Sequence, residues 1–202
     1  MDKIDFKKKL KELYNPSARE VAAVNVQPMD FLMIDGQGDP GTAREFQEAI
    51  EALFSVSYNL KFRVKKDQEI DYGVLPLEGL WWSDNMEDFT AGNRDNWKWT
   101  LMIMQPELIT ENMVDDATSE VEKKKGLPAL RKLRFESYEE GLSAQVMHIG
   151  PFSEEGPTIR RIHKFIDEQG KKPHGKHHEI YVSDIRKVAP EKMKTVLRQP
   201  ME

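Results

Sequence analysis

Glu179 and Tyr181 lie two residues apart in the stretch His177-His178-Glu179-Ile180-Tyr181-Val182-Ser183-Asp184. Ile180 and Val182 alternate with Glu179, Tyr181 and Ser183, which is the period of a strand with one apolar and one polar or aromatic face. A carboxylate and a phenol therefore stand side by side. Against open water they form the solvated face of a half-buried strand. Against a cavity they form a site, because a carboxylate takes a proton from water and a phenol holds that water by hydrogen bonding.

A second cluster concerns binding. All four tryptophans fall between Trp81 and Trp99. Trp81-Trp82 and Trp97-x-Trp99 occupy successive strands expected to pair, where cross-strand packing is their simplest use. Adjacent Trp81 and Trp82 point to opposite faces, however, and one helix layer cannot enclose both. Some indole surface is left for a cavity or for solvent. Indole walls with one acid describe a pocket for a planar or cationic aromatic ligand.

Other chemistries find less support. His174-x-x-His177-His178, with His148 and His163, falls in a Lys/Gly/Pro loop rather than on one helix face, and no regular ligand set emerges. No metal is assigned, and solvated or capping histidines are the expectation. Gly36-Gln37-Gly38-Asp39-Pro40-Gly41 matches the dinucleotide fingerprint in letters. Asp39 would set a negative charge beside a pyrophosphate, and Pro40 removes a backbone donor. The stretch reads instead as a turn into a helix capped by Thr42 and Glu45. No G-x-S-x-G elbow is present, and no cofactor is called for.

The chain has 202 residues, enough for one sizeable core, and a formal net charge of -5 with both signs interspersed. No basic domain stands out, so direct binding of nucleic acid is not expected. The absence of cysteine excludes disulfides, zinc ribbons and thiol nucleophiles. No apolar run spans a membrane and Met1–Asp5 lacks the apolar core of a signal peptide, so a cytoplasmic protein is expected.

The elements that must position these residues read in order. Asp5–Tyr14 suggests an amphipathic helix, within an extension covering residues 1–20. Val21–Val26 and Phe31–Ile34 are expected strands, and Ala43–Tyr58 a helix. Leu77–Ser83 is extended, Asp84–Asn96 a polar loop and Trp97–Met104 a strand. Thr110 caps a second helix that stops at Gly126. Leu133–Tyr138 and Ser143–Ile149 read as a hairpin. Pro157 opens a third helix ended by Gly170, and Pro190 opens a short last one bearing Met193, Val196 and Leu197.

A weak repeat runs through this order. Phe31–Ile34, a Gly/Pro turn, a helix and Leu80-Trp81-Trp82-Ser83-Asp84 mirror Gln145–His148, a Gly/Pro turn, a helix and Ile180-Tyr181-Val182-Ser183-Asp184. Aligned on Ser-Asp, Trp81 falls opposite Tyr181 and Gly79 opposite Glu179. The expected fold is α+β: a single domain, residues 21–202, of two pseudo-symmetric strand-helix-strand-strand units. Its antiparallel or mixed sheet carries helices on one face and a ligand groove on the other.

Phe31–Gly36 with Gly38-Asp39-Pro40, Leu77–Trp82, His148–Phe152 and Gly175–Pro200 together resemble the GyrI-like small-molecule-binding family. That family's fold is a duplicated strand-helix-strand-strand unit, in agreement with the repeat. In drug-binding members an acid on the late strand meets cationic ligands, and the matching position is Glu179. His178–Asp184, Pro190–Lys194, Arg198–Pro200 and the Trp81-Trp82 pair look closer to a narrower group, the cyclopropanoid cyclopropyl hydrolases, which open the strained ring of DNA-alkylating agents such as yatakemycin. This implies detoxification by an activated water, with Glu179 and Tyr181 catalytic. Trp81, Trp82, Trp97, Trp99, Tyr138, His148 and Phe152 would then contact a planar aromatic ligand, with Tyr138, His148 or ordered water as possible donors to the developing oxyanion. The alternative is a non-catalytic binder that sequesters drugs or regulates through a partner.

Overall fold

The computed structural model describes residues 2–84, 93–184 and 187–202. Most of the expected polar loop from Asp84 to Asn96 lies outside the described residues. In chain order the elements are β1 (Asp2–Ile4), α1 (Phe6–Lys9), α2 (Lys11–Tyr14), β2 (Ala22–Val26), β3 (Met29–Gln37), α3 (Arg44–Asp67), β4 (Ile70–Tyr72), β5 (Leu77–Trp82) and β6 (Lys98–Gln105). They continue as α4 (Glu111–Lys125), β7 (Arg134–Tyr138), β8 (Gly141–Ile149), α5 (Glu155–Glu168), β9 (His177–Tyr181) and β10 (Lys194–Pro200). The fold is α+β, and no helix among the described residues is long and apolar enough to cross a membrane.

The chain divides into two compact units. The first comprises Met1–Lys9, Met29–Leu77 and Trp81–Tyr138; the second comprises Leu10–Pro28, Glu78–Leu80 and Glu139–Glu202.

In the first unit the strands run in the order β5-β6-β3-β7, with β6 and β7 antiparallel to β3. The helix α3 lies on β3 and β6. It buries Phe46, Ala49, Leu53, Val56, Leu60 and Val64, the three-and-four spacing of one helical stripe. The stripe continues beyond Tyr58, so Leu60–Val64 prolongs the helix to Asp67. The expected Thr42/Glu45 cap does not form: Ala43 is the N-cap and offers no side-chain bond. Asp39 organises the turn instead, its carboxylate accepting from the Gly41 N–H at 2.8 Å and its carbonyl from Thr42 and Ala43. The Thr110 hydroxyl caps α4, and Gly126 ends that helix at φ 59.

In the second unit the order is β2-β8-β10-β9, all antiparallel. Ile162 and Ile166 of α5 pack with Ala144, Val146, Leu197 and Met201 on one face of this sheet. The last expected helix is absent. Pro190–Lys192 makes a single 3-10 turn, and β10 follows as an inner strand with Val196, Leu197 and Arg198 all buried. Met193, Val196 and Leu197 fit helical spacing only because an inner strand is covered on both faces and so shows no alternation. Nor do β7 and β8 form a hairpin: β7 pairs with β3, while β8 pairs with β2 and β10. The expected Asp5–Tyr14 helix is broken at Leu10 into α1 and α2, and Asp2–Ile4 forms β1, parallel to β4.

The repeat is present in the topology. Strand, helix, strand, strand runs β3-α3-β5-β6 in one unit and β8-α5-β9-β10 in the other, and each unit adds one edge strand beside the first strand of the repeat. The register agrees as well. Phe31 faces Met104 where Gln145 faces Arg198, and Gly36 pairs with Trp99 where the Gly150 N–H bonds the Met193 carbonyl.

Candidate functional site

The strand β9 alternates as its sequence requires, with His178 and Ile180 buried and His177, Glu179 and Tyr181 half-buried. Across the sheet, Glu179 pairs with Leu197 and Leu197 with Val146. Residues directly opposite in a ladder share a face. Val146 and Leu197 pack against α5. Glu179 and Tyr181 thus rise from the helix-bearing face of this unit rather than the opposite one.

On that face the Tyr181 hydroxyl donates to Glu179 Oε2 at 2.8 Å. His177 Nε2 lies 3.4 Å from the other oxygen, Oε1. Phe152, 43% exposed, sets its ring edge-on to Tyr181 at 5.7 Å. The next row pairs His148 with Thr195 and Thr195 with Tyr181. His148 is engaged within the unit: Nδ1 lies 3.0 Å from the Thr158 hydroxyl and Nε2 3.2 Å from the Pro151 carbonyl. A carbonyl only accepts, so Nε2 carries the proton and ties the Gly150-Pro151 turn to its strand.

One residue of this face was not foreseen. Glu155, the first residue of α5, is only 6% exposed. Burial, and then the negative charge of Glu179, push its carboxyl up to about 9, against a smaller opposing hydrogen bond from Thr195. Both effects favour the neutral form of the Glu155 carboxyl. Its sequence context, Ser153-Glu154-Glu155-Gly156-Pro157, reads as an ordinary acidic helix start. Only the tertiary neighbours Glu179 and Thr195 reveal it.

The opposite face of the same sheet carries a buried ionic chain. His178 Nδ1 lies 2.9 and 3.0 Å from the oxygens of Glu140, and Nε2 lies 2.9 Å from Glu78 Oε2. Carboxylates accept and do not donate, so both ring nitrogens are protonated. Burial alone would lower the His178 pKa, but Glu140 and Glu78 outweigh it and raise it to about 9. Burial would likewise raise Glu140, yet His178 and Arg198 hold it down to about 2. The Arg198 guanidinium donates to Glu140 Oε2 at 2.9 Å, to Gln145 Oε1 at 3.0 Å and to the Leu13 carbonyl at 2.9 Å. The Tyr14 hydroxyl closes the chain on Glu78 at 2.6 Å. The strand β9 is thus fixed by ions on one face while it presents Glu179 and Tyr181 on the other.

The first unit holds the indoles. Trp81, 6% exposed, and Trp99, fully buried, flank Phe46 of α3 at ring distances of 5.9 and 5.2 Å. Trp97 meets Trp81 edge-on at 6.0 Å, with the Arg94 guanidinium 5.4 Å from its own ring. The Trp99 indole lies directly over Gly36, where a Cβ would sit 2.1 Å from the ring. Trp82 and Trp97 are half-buried and leave more ring surface open than Trp81 and Trp99. Tyr138 sits on β7, half-buried and edge-on to Phe31 at 6.3 Å.

The sequence and the fold are similar to those of known proteins. A family model described as the GyrI-like small molecule binding domain matches residues 19–201, and the chain belongs to that family. A crystal structure of an uncharacterized conserved protein from Listeria innocua is 41% identical, with a TM-score of 0.91 over 98% of this chain and all of that one. A second, described as a hydrolase from Listeria innocua, is 40% identical, with a TM-score of 0.86 over 98% of this chain and all of that one. The C-terminal domain of EcmrR is 11% identical, with a TM-score of 0.55 over 91% of this chain and 97% of its own, a likeness of fold alone. Among curated proteins none matches.

Proposed function

We propose that this GyrI-like domain binds planar aromatic small molecules and hydrolyses the cyclopropane of cyclopropanoid DNA-alkylating agents, with Glu179 as base and Tyr181 holding the water. The observation that carries the reading is the Tyr181–Glu179 bond of 2.8 Å on a half-buried face beside the exposed Phe152 ring. The 40% identical structure described as a hydrolase supports catalysis.

The chemistry needs little more. Water attacks the least hindered carbon of a cyclopropane fused to a cyclohexadienone. The strained C–C bond breaks, and its electron pair moves to the carbonyl oxygen, which takes a proton and becomes a phenol. Glu179 receives the proton that the water gives up. Phe152 offers a ring against which a flat substrate can stack.

Mass spectrometry after incubation with a cyclopropanoid tests the proposal: hydrolysis adds one water to the ligand mass. Glu179→Gln should still fold and bind but lose roughly 10²–10⁴ in rate. Turnover near that of the unmodified protein would reject the base assignment. The second reading, passive sequestration, is favoured by the direct Tyr181–Glu179 bond, which also suits a fixed acceptor for a cationic ligand. It predicts binding with an unchanged ligand mass.

A further inference from the structure

The helix α3 has two apolar faces, and the sheet uses one of them. Phe54, Tyr58 and Phe62 recur every fourth residue and so line one side of the helix, away from the buried stripe that includes Phe46, Leu53, Val56 and Leu60. Their rings follow one another at 6.3 Å, with interplanar angles of 31° and 27°. Phe62, 58% exposed, is the most exposed large apolar side chain among the described residues, and Tyr58 is 46% exposed. Single apolar residues on a surface need no explanation, but a contiguous row of rings does.

The flanking residues decide what covers the row. Glu51 lies three residues before Phe54, and Lys65 three after Phe62, so the face reads Glu-Phe-Tyr-Phe-Lys with spacings of 3, 4, 4 and 3. The spacing is symmetric about Tyr58, and the charge is opposite at the two ends. Turned end for end, the row falls on itself: Glu51 meets Lys65, Phe54 meets Phe62, and Tyr58 meets Tyr58. The sign pattern extends along α3, with Glu45, Glu48 and Glu51 in its first half and Lys61, Arg63, Lys65 and Lys66 in its second; Arg44 and Asp67 at the tips are the exceptions. A parallel pairing would set like charges together, whereas antiparallel helices also oppose their dipoles. Within one chain, Glu51 Oε1 lies 3.8 Å from Lys125 Nζ, and Lys65 Nζ donates to Asp71 Oδ2 at 2.9 Å. The Glu51 and Lys65 side chains nevertheless stay 57% and 39% exposed.

We infer that this face of α3 is a dimerisation surface, on which two copies of the chain pack antiparallel about a two-fold axis at Tyr58. Such a contact gives each residue its counterpart on the other copy. It removes the exposed rings from water, which drives association. It leaves Glu51 and Lys65 as a charged rim around an aromatic centre. A small molecule, by contrast, is held in a concave pocket rather than on the face of a helix. Glu179 lies in the other unit, so this surface exists whatever the chemistry proposed there.

The experiment is analytical sedimentation of the full chain from about 1 μM to about 100 μM, the weak end of interface affinities. At the upper end the unmodified protein should sediment with the mass of two chains. Tyr58→Glu sets two carboxylates against each other on the axis and should weaken association about 10²-fold or more. Glu51→Lys and Lys65→Glu should each weaken it about tenfold, and the chain carrying both should return to within about threefold of the unmodified protein. Inside one chain the double exchange places like charges beside Lys125 and Asp71, so its penalties add; only a partner copy can cancel them. A single-chain mass throughout would overturn the inference. The row would then belong to a small aromatic ligand if the chain bound anilinonaphthalene sulfonate and Tyr58→Glu did not, and to an unlike protein if neither bound it. A dimer indifferent to Tyr58→Glu would place association on another surface, and a double exchange that failed to restore it would reject the antiparallel register.

Discussion

The first unit sets Phe31 opposite Met104, whereas the second sets Gln145 opposite Arg198 at the same point of the same register. One is an apolar contact of the kind that any sheet core can use. The other is part of a chain of buried ions that also recruits Tyr14, Glu78, Glu140 and His178. A topology repeated within one chain therefore does not dictate its interior. Buried ion pairs seldom stabilise more than apolar residues of equal volume would. The second unit gives up that economy and carries the titratable groups on both faces of β9. The first gives its interior to indoles and the α3 stripe.

The largest effect should come from breaking the ionic chain. Arg198→Met imports the residue that the first unit uses at this position, but it leaves Glu140 with one cation instead of two. It should cost about 3–5 kcal/mol in denaturant unfolding, the usual result of stripping one partner from a buried pair. Adding Glu140→Gln should recover part of the loss. A cost below about 1 kcal/mol for Arg198→Met would mean that the two interiors are interchangeable, and the contrast would fall.

The same groups set the pH dependence. His178 is raised from 6.5 to about 9, so the stability it contributes is complete below 6.5 and is lost as pH rises through about 9. Glu140 is lowered from 4.5 to about 2, so its contribution is present above 4.5 and is lost as pH falls through about 2. Glu155 is raised from 4.5 to about 9, so the folded chain keeps a proton that the unfolded chain releases, and stability declines across that interval. Between 4.5 and 6.5 only Glu155 of these three changes the slope. Glu155→Gln should flatten stability in that window and leave the decline above 6.5 in place. An unchanged slope would show that Glu155 is not held neutral.

The equivalent glycines offer a smaller test. At Gly36 a Cβ would meet the Trp99 ring at 2.1 Å; at Gly150 it would meet His148 Nε2 at 3.2 Å, on a backbone with φ 140. Gly36→Ala is limited by space and Gly150→Ala by backbone conformation, each at about 1–3 kcal/mol. Replacing Trp99 with Met, the residue of the second unit at Met193, should relieve Gly36→Ala. Replacing Met193 should leave the Gly150→Ala cost unchanged. If both penalties followed the facing residue, the backbone argument at Gly150 would fail.

How much of this was legible in the sequence depended on range. The repeat was legible because its markers are local: Gly/Pro turns, helical stripes and the Ser-Asp ends. Glu179 and Tyr181 share a face because strand period alone puts them there. His178 read as solvated or capping, since its partners come from Glu78 and Glu140, 100 and 38 residues away. Glu155 was hidden by a helix start that is acidic for ordinary reasons. The strand β10 was misread because an inner strand has no polar face to alternate with. The indoles were legible as a cluster, but the burial of Trp99 follows from a glycine on the paired strand, which spacing does not reveal.

The smallest effect concerns the element that one unit has and the other lacks. In the first unit β6 is followed by α4 and then the edge strand β7; in the second, the edge strand β2 precedes β8, so no such helix is required. The helix α4 packs on α3 and begins at Thr110, whose hydroxyl accepts from the Met113 N–H at 3.4 Å. That bond is long, so Thr110→Ala should cost about 1 kcal/mol or less, the lower half of the range for helix caps. Only the first turn of α4 loses a partner, so amide exchange should quicken at Met113 and Val114 while the buried amides of β8 and β10 keep their protection. A cap with a wider role would instead loosen β8 and β10 too. Faster exchange in β10 of Thr110→Ala would show that the Thr110 bond does more than cap the first turn of α4.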